Sequence, residues 1–168
     1  KVSGEFIKMD SQGLEYDVLR GSNNILRENC MVLLCEVEFF KMYKGQKLFA
    51  EIDLFLRNNG FQLYGLSPHY ISAKKLNREK CDCDERLLWA DALYFKDPLD
   101  NTNKNKKFSK RDIEVLILGT ILSRYYDFAL ELSDHFYQGV PDAKYLKEMI
   151  VKMAVIDKKA TEDDFIKF

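Results

Sequence analysis

The sequence predicts an α/β fold, with parallel strands, an antiparallel last strand and an α-helical tail. Two observations lead to this prediction. Short apolar runs alternate with stretches whose apolar residues recur at helical spacing, as in successive strand-helix-strand units. The last apolar run follows a segment without an apolar helical face, so we expect that strand to lie antiparallel to its predecessor.

The first two strands are predicted at residues 5–10 (EFIKMD) and 31–39 (MVLLCEVEF). Both are apolar almost throughout, which is typical of strands that are buried on both faces. Between them, the apolar spacing predicts a helix that begins after Gly13 and a second helical turn that begins at Ser22.

A longer helix and two more strands follow. Apolar residues within 48–56 mark one face of a helix, and Gly60 stands where a C-terminal cap belongs. Residues 61–66 (FQLYGL) and 88–96 (LWADALYFK) are predicted as the third and fourth strands. Two successive strand-helix-strand units predict that the first three strands pair in parallel through right-handed crossovers.

The chain is expected to divide at a polar segment, residues 98–110, which is rich in asparagine and lysine. We interpret it as a solvated linker between an α/β domain at residues 1–97 and an α-helical extension at residues 111–168. Contact with an anionic surface is the less favoured alternative for its lysines, Lys104, Lys106, Lys107 and Lys110.

Two long helices are predicted in the extension. Ser109 with Asp112 three residues later is typical of a capping box, and the helix that it opens is expected to end near Gln138. A second amphipathic helix covers residues 145–153, and a last turn begins at Thr161. We favour core packing over a homo-oligomer contact for the apolar residues of the first helix, Ile113, Leu116, Ile117, Ile121, Leu122, Tyr125, Tyr126, Phe128 and Leu132.

Composition restricts the function only broadly. The 26 basic and 27 acidic residues give a net charge of -1, so nucleic acid is not an expected partner. The longest uncharged apolar run, residues 115–123, is far shorter than the ~20 residues that cross a bilayer, so no transmembrane segment is expected. Four cysteines without a preceding secretory signal indicate reduced thiols and a cytoplasmic protein.

Acidic residues close the first two predicted strands, where open α/β sheets bind ligands. Asp10 ends the first strand, and Glu36 and Glu38 end the second on the same face, because side chains alternate along a strand. Such carboxylates can accept a proton, hold a cationic ligand or coordinate a metal. For each of them, capping the next helix or pairing with a lysine is an equally good interpretation.

The turn after the first strand contains Gln12, Gly13 and Glu15. Gly13 allows the backbone to turn tightly, and Glu15 lies in a first helical turn, where the helix dipole favours negative charge. No metal site is expected, because Cys81, Cys83 and His69 are too few to form a ligand set. The glycines include no G-x-G pair and therefore no dinucleotide or phosphate-loop motif.

Four blocks of the sequence, taken in order, carry a resemblance to a known family. The blocks are residues 6–26 (FIKMDSQGLEYDVLRGSNNIL), 33–39 (LLCEVEF), 43–66 (YKGQKLFAEIDLFLRNNGFQLYGL) and 91–95 (DALYF). They resemble consecutive blocks of the FkbM methyltransferase family. The core motif of that family is lysine, apolar, aspartate, any residue, Glu or Gln, Gly, any residue, Glu, and it maps onto residues 8–15. The resemblance covers about residues 5–97.

The resemblance implies that the four strands correspond to the fourth to seventh strands of a Rossmann-like methyltransferase sheet. The chain is then the C-terminal half of the domain, lacks the glycine-rich cofactor loop and is expected to be inactive alone. The beginning of the chain directly before a core strand also suggests a cut.

For the parent protein, the resemblance implies S-adenosylmethionine as cofactor and O-methylation of a sugar or secondary-metabolite hydroxyl, on a small-molecule or glycan acceptor. A non-catalytic interaction or structural domain that keeps the sheet without binding the cofactor is the alternative. Asp10 is the candidate general base. The candidate residues for the substrate and cofactor rim are Gln12, Gly13, Glu15, Glu36 and Glu38.

Overall fold

Four strands form one mixed sheet in the computed structural model, which describes residues 4–71 and 85–165 and side chains as far as residue 158. The order in the sheet is β1-β2-β4-β3; β1 and β2 pair in parallel, and β4 is antiparallel to both of its neighbours. The strands are β1 (Phe6–Met9), β2 (Val32–Glu38), β3 (Gln62–Ile71) and β4 (Arg86–Phe95).

The position of β3 differs from the prediction. The antiparallel orientation of the last strand is confirmed, but β4 lies between β2 and β3, so the second and third strands run in the same direction without pairing. The predicted third strand also ended too early, because β3 continues to Ile71. Apolar runs predict strands but do not specify which non-local partner a strand takes, and this is why the insertion of β4 was missed.

Three helices complete the core of this part of the chain: α1 (Glu15–Gly21), α2 (Asn23–Glu28) and α3 (Phe49–Asn58). The break between the first two helices at Gly21 agrees with the prediction. Their apolar side chains join those of the sheet in one cluster, in which Leu19, Leu26, Ile52 and Leu56 are all buried.

Gly60 ends α3 as predicted. Its φ of 85° is in the left-handed region, its N–H donates to the Arg57 carbonyl, and the Phe61 N–H donates to the Leu56 carbonyl at 3.1 Å. This pair of bonds is the Schellman arrangement, which satisfies carbonyls that the helix leaves unpaired. The chain then enters β3 directly.

Clustering of contacts divides the chain into two compact units, Lys1–Lys107 and Phe108–Phe168. The predicted linker is not solvated along its whole length, because Asn103 is only 5% exposed. Its Nδ2 donates to the carbonyls of Gly60 and Asp97, both at 2.7 Å. In irregular segments, a polar side chain can bond backbone carbonyls that have no backbone donor. The polar composition of residues 98–110 therefore did not reveal that Asn103 is buried.

The second unit contains α4 (Lys110–Leu122), α5 (Tyr126–Phe136) and α6 (Ala143–Phe165). The predicted capping box is confirmed: the Ser109 N–H donates to Asp112 Oδ2 at 2.8 Å and the Asp112 N–H to Ser109 Oγ at 3.2 Å. The last predicted turn is instead part of α6. The buried apolar residues of this unit are Ile113, Leu116, Ile117, Ile121, Phe128, Ala129, Leu132, Ala143 and Ile150.

The single helix predicted to run to about Gln138 is wrong, because the chain breaks between α4 and α5. Arg124 has a φ of 65°, its N–H donates to the Ile121 carbonyl, and the Tyr125 N–H donates to the Thr120 carbonyl at 2.8 Å. These bonds again form a Schellman cap, here with arginine where glycine is usual. Arginine is a good helix former, so the sequence carried no stop signal at this position.

None of the helices in the described part of the chain combines the length and the apolar composition that crossing a bilayer requires.

We expect Asn103→Ala to lower the free energy of unfolding of the first unit by about 1–3 kcal/mol, because two partly buried carbonyls lose their donor. Urea unfolding followed by the fluorescence of Trp89, the only tryptophan of the chain, measures this change. Asn105→Ala is the matched control, since Asn105 is exposed. If the two variants lost the same free energy of unfolding, this result would contradict the burial of Asn103.

Candidate functional site

The turn after β1 brings two of the predicted site residues together. Gln12 Nε2 donates to Asp10 Oδ1 at 3.1 Å, and both side chains are exposed. Gln12 has a φ of 55° and Gly13 a φ of 93°, so two successive residues have left-handed backbone. This conformation is unfavourable for glutamine, and such strain is most often found at functional sites.

Glu15 is buried and bonded back to the same turn. It is 1% exposed, and its Oε1 accepts from the Ser11 N–H at 2.7 Å and from Ser11 Oγ at 3.0 Å. Its position at the start of α1 agrees with the helix-dipole interpretation. The two hydrogen bonds add a structural role, because they fix the turn against the helix.

A loop between β2 and α3, residues 39–48, packs onto this turn; we call it the cover loop. A Cβ atom on Gly13 would lie 2.6 Å from Tyr43 Cδ2 and 3.1 Å from Gln46 Nε2. Gly13 is therefore required both for its backbone conformation and for the close approach of the cover loop.

Glu36 is partly buried near the ends of the strands. It lies opposite Asp91 of β4 in the strand register. Its pKa is raised, first by burial and then by the neighbouring carboxylates of Asp10, Glu15 and Asp91, while His69 opposes the rise. Three acids, from the turn after β1, the start of α1 and β4, thus influence the pKa of one carboxyl group.

Glu38 has a different environment, although it is only two residues away. Its side chain is 0% exposed, and neither carboxylate oxygen has a hydrogen-bond partner among the described residues. Burial, with Glu15 and Glu36 adding to it, raises the pKa of Glu38 to about 7, and the nearby Gln46 amide acts in the opposite direction. A carboxyl group with this pKa changes charge near neutral pH, which suits a proton acceptor.

Gln46 is the residue that sequence reasoning missed. It is 3% exposed, and its Oε1 accepts the N–H groups of Met42 at 2.8 Å and Tyr43 at 3.1 Å. Its Nε2 has no hydrogen-bond partner in the described part of the chain. Gln46 lies within the block at 43–66, but a lone glutamine in a polar loop carries no pattern that marks it as a site residue.

His69 does not form part of a metal centre within the described residues. Its ring stacks on Trp89 with centroids 4.9 Å apart, and its Nε2 lies 3.5 Å from Asp91 Oδ2. Cys81 and Cys83, which the sequence offers with His69 as possible metal ligands, lie outside the described residues. Across residues 4–71 and 85–165, no three His, Cys, Asp or Glu side chains form a cluster suited to a metal ion.

Residues 3–63 match the family model of the methyltransferase FkbM domain. The predicted resemblance is confirmed over this span, which includes β1, the turn with Asp10 and Gly13, β2 and the cover loop. The match points to methyl transfer as the activity of the family. The resemblance inferred for residues 64–97 stays a prediction. No curated protein and no solved structure matches the chain significantly.

The raised pKa of Glu38 makes stability depend on pH. Its pKa is higher in the folded chain than its usual value of 4.5, so stability falls as the pH rises from about 4.5 to about 7. We expect Glu38→Gln to be more stable than the wild type by about 3 kcal/mol at pH 8, and this gain to shrink towards pH 5. Urea unfolding followed by Trp89 fluorescence at both pH values measures it.

Glu28→Gln is the control for this measurement, because Glu28 is exposed on α2. It is expected to show no comparable gain at pH 8. A Glu38→Gln variant that is less stable than the wild type at pH 8 would show that the carboxylate is paired after all.

Gly13→Ala is expected to destabilise the first unit by about 3 kcal/mol, of which roughly 1–2 kcal/mol is backbone strain and the rest the contact with Tyr43. Gly45→Ala isolates the strain, because Gly45 has a φ of 80° but a Cβ atom there meets nothing within 4 Å. Urea unfolding of both variants measures the difference. Equal losses would mean that Tyr43 moves away freely.

Proposed function

We propose that this chain forms part of an S-adenosylmethionine-dependent methyltransferase that methylates a hydroxyl group of a sugar or secondary metabolite. The family match over residues 3–63 is the observation on which the proposal rests. The matched span includes the end of β1 and the end of β2, where the acidic residues come together. Ligands of open α/β sheets bind at this edge.

The strand order also supports a Rossmann-like methyltransferase sheet. In the resemblance, the four strands correspond to the fourth to seventh strands of such a sheet, which ends in a reversed hairpin. Here β3 and β4 form an antiparallel pair, and β1, the counterpart of the fourth strand, lies at an edge of the sheet. That edge suits the addition of the strands that hold most of the cofactor in the family.

The negative charge at the carboxyl ends of β1 and β2 fits the cofactor. S-adenosylmethionine supplies a methyl group on a positively charged sulfonium, and the exposed Asp10 and the partly buried Glu36 place negative charge beside the turn. Asp10 and Gln12, joined by a hydrogen bond, would line the rim of this site. Their contribution is to attract and orient the reacting groups.

Asp10→Asn is expected to weaken the binding of S-adenosylmethionine about five- to tenfold, because a charge interaction of about 1 kcal/mol is lost. Binding of S-adenosylhomocysteine, which lacks the sulfonium charge, should change little. Calorimetry on the gene product that contains this chain, and on the chain itself, measures both affinities. Asp127→Asn is the control, since Asp127 is exposed on α5 in the second unit.

The alternative is a non-catalytic interaction or structural domain that keeps the sheet. Absence of S-adenosylmethionine binding by the gene product would reject the methyltransferase and favour this alternative. Binding with an unchanged affinity in Asp10→Asn would keep the enzyme and reject Asp10 as a rim residue.

Location and assembly belong to the same proposal. The buried free thiols of Cys30 and Cys35 agree with a cytoplasmic protein. A homo-oligomer through the C-terminal helices is supported by exposed apolar side chains on α4 and α6, among them Leu122, Tyr145 and Ile156. Light scattering that finds a monomer would remove this option.

A further inference from the structure

We propose that Glu38 and Gln46 together bind the methyl-accepting hydroxyl group, with Gln46 donating a hydrogen bond to its oxygen and Glu38 accepting its proton. This inference rests on the proposed function and assigns the proton acceptor to Glu38 and not to Asp10. It begins from two buried polar groups that have no hydrogen bond of normal geometry among the described residues, the carboxylate of Glu38 and the Nε2 of Gln46, although the Gln46 amide lies close enough to Glu38 to lower its pKa.

The orientation of the Gln46 amide is fixed by its other end. The backbone N–H groups of Met42 and Tyr43 need an acceptor, so the atom that they contact must be Oε1. Nε2 then points away from these donors and lies beside Gly13, at the turn that carries Asp10 and Gln12. The free donor is thus held in place by the cover loop and is aimed at the site.

Glu15 shows by contrast what is unusual about Glu38. Both are buried glutamates, Glu15 at the start of α1 and Glu38 at the end of β2, but Glu15 receives two hydrogen bonds from Ser11. Neither Glu38 oxygen has a hydrogen bond of normal geometry among the described residues, and the Gln46 amide is the donor that lies near it. A buried acceptor without a donor is costly in free energy, and a fold that keeps one generally uses it.

A hydroxyl group matches this pair of side chains. It accepts a hydrogen bond from Gln46 and donates one to Glu38 through the same oxygen. An ammonium group cannot accept from Gln46, and a carboxylate would be repelled by Glu38 and its acidic neighbours Glu15 and Glu36. The pair therefore selects hydroxyl acceptors over charged ones.

Access to Glu38 requires the cover loop to move. Glu38 is fully buried, whereas Phe40, Met42 and Tyr43 of the loop are each 44–48% exposed. The loop packs on Gly13 through Tyr43, and its two ends are bonded to β4 and α3, by the Phe39 N–H to the Leu88 carbonyl at 2.9 Å and by the Leu48 N–H to Glu51 Oε2 at 3.1 Å. Between these ends, the Gln46 side chain accepts the N–H groups of Met42 and Tyr43. A loop held in this way can open as a unit while it keeps the Gln46 amide oriented.

The proton balance of the step is simple. The hydroxyl O–H bond breaks, the proton goes to a Glu38 carboxylate oxygen, and the hydroxyl oxygen forms a bond to the methyl carbon. The bond between that carbon and the sulfonium sulfur breaks at the same time, and its electron pair stays on the sulfur. Glu38 must be ionised to act, so turnover should rise with pH through about 7, with Glu15 and Glu36 as the titratable groups that act on it.

Nuclear magnetic resonance tests whether Glu38 and Gln46 bind a hydroxyl compound, and it does so without the cofactor. The probes are methyl glycosides of glucose, galactose, mannose and fucose. With the glutamate carboxyl carbons labelled, we expect a probe that binds to shift the Glu38 carboxyl and Gln46 amide resonances together. Glu38→Gln identifies the carboxyl signal.

Gln46→Glu is the sharpest variant. It keeps an acceptor for Met42 and Tyr43, and so keeps the cover loop, but replaces the free donor by an acceptor. We expect at least a tenfold loss of glycoside affinity. Unchanged affinity in this variant, or no probe-induced shift at Glu38 and Gln46 in the wild type, would overturn the proposal.

Turnover in the gene product that contains this chain separates this inference from the proposed function. Glu38→Gln should lower kcat about 10²- to 10⁴-fold and remove the dependence on a group with a pKa near 7. Its expected gain in stability excludes misfolding as the cause, and Glu28→Gln should leave kcat unchanged. Turnover that is insensitive to Glu38→Gln rejects this inference alone, whereas wild-type protein that neither binds S-adenosylmethionine nor transfers methyl groups rejects both.

Discussion

The antiparallel pairing of β2 with β4 sets the position of everything else in the first unit. Seven residue pairs join the two strands, from Val32 with Phe95 to Glu38 with Trp89. β4 also pairs with β3 on its other side. The ladder between β2 and β4 therefore joins β3 to the rest of the sheet, although β2 and β3 do not pair with each other. Register leaves little freedom, since a slip of one residue would turn the buried face of β2 outwards. The same register places Glu36 opposite Asp91, so the acidic character of the edge follows from the sheet.

Buried glutamates near this edge show how one residue type acquires two roles. Glu15 accepts two hydrogen bonds from Ser11, and these bonds hold the turn against α1. Glu38 has no such donors among the described residues, and the surrounding negative charges make its ionisation less favourable still. The difference arises from the surroundings of each carboxyl group and not from the chemistry of the side chain. It separates a structural carboxylate from one that is suited to exchange a proton.

Local patterns in the sequence were sufficient for the elements of the first unit, because apolar runs, helical spacing and Gly60 all act within a few residues. Local patterns were not sufficient to predict which strands pair. β2 and β4 are separated by about fifty residues, and no pattern in that stretch indicates that β4 pairs with β2. Arg124 ended a helix in a conformation that its residue type does not suggest. Asp10, Glu36 and Glu38 were predicted as candidate site residues from their positions at strand ends, and they stay predictions. Gln46 became visible only when the cover loop was seen to fold its amide towards Gly13.

The contact between Gly13 and the cover loop also constrains how this sequence can diverge. Any side chain at position 13 would occupy the space that the Tyr43 ring now fills. A descendant that acquires a larger residue there must accept a smaller one at position 43 or lose the closed loop. Positions 13 and 43 should therefore change together in homologous sequences. The residues that a relative has at these two positions would then indicate whether its cover loop still closes over the acid that corresponds to Glu38.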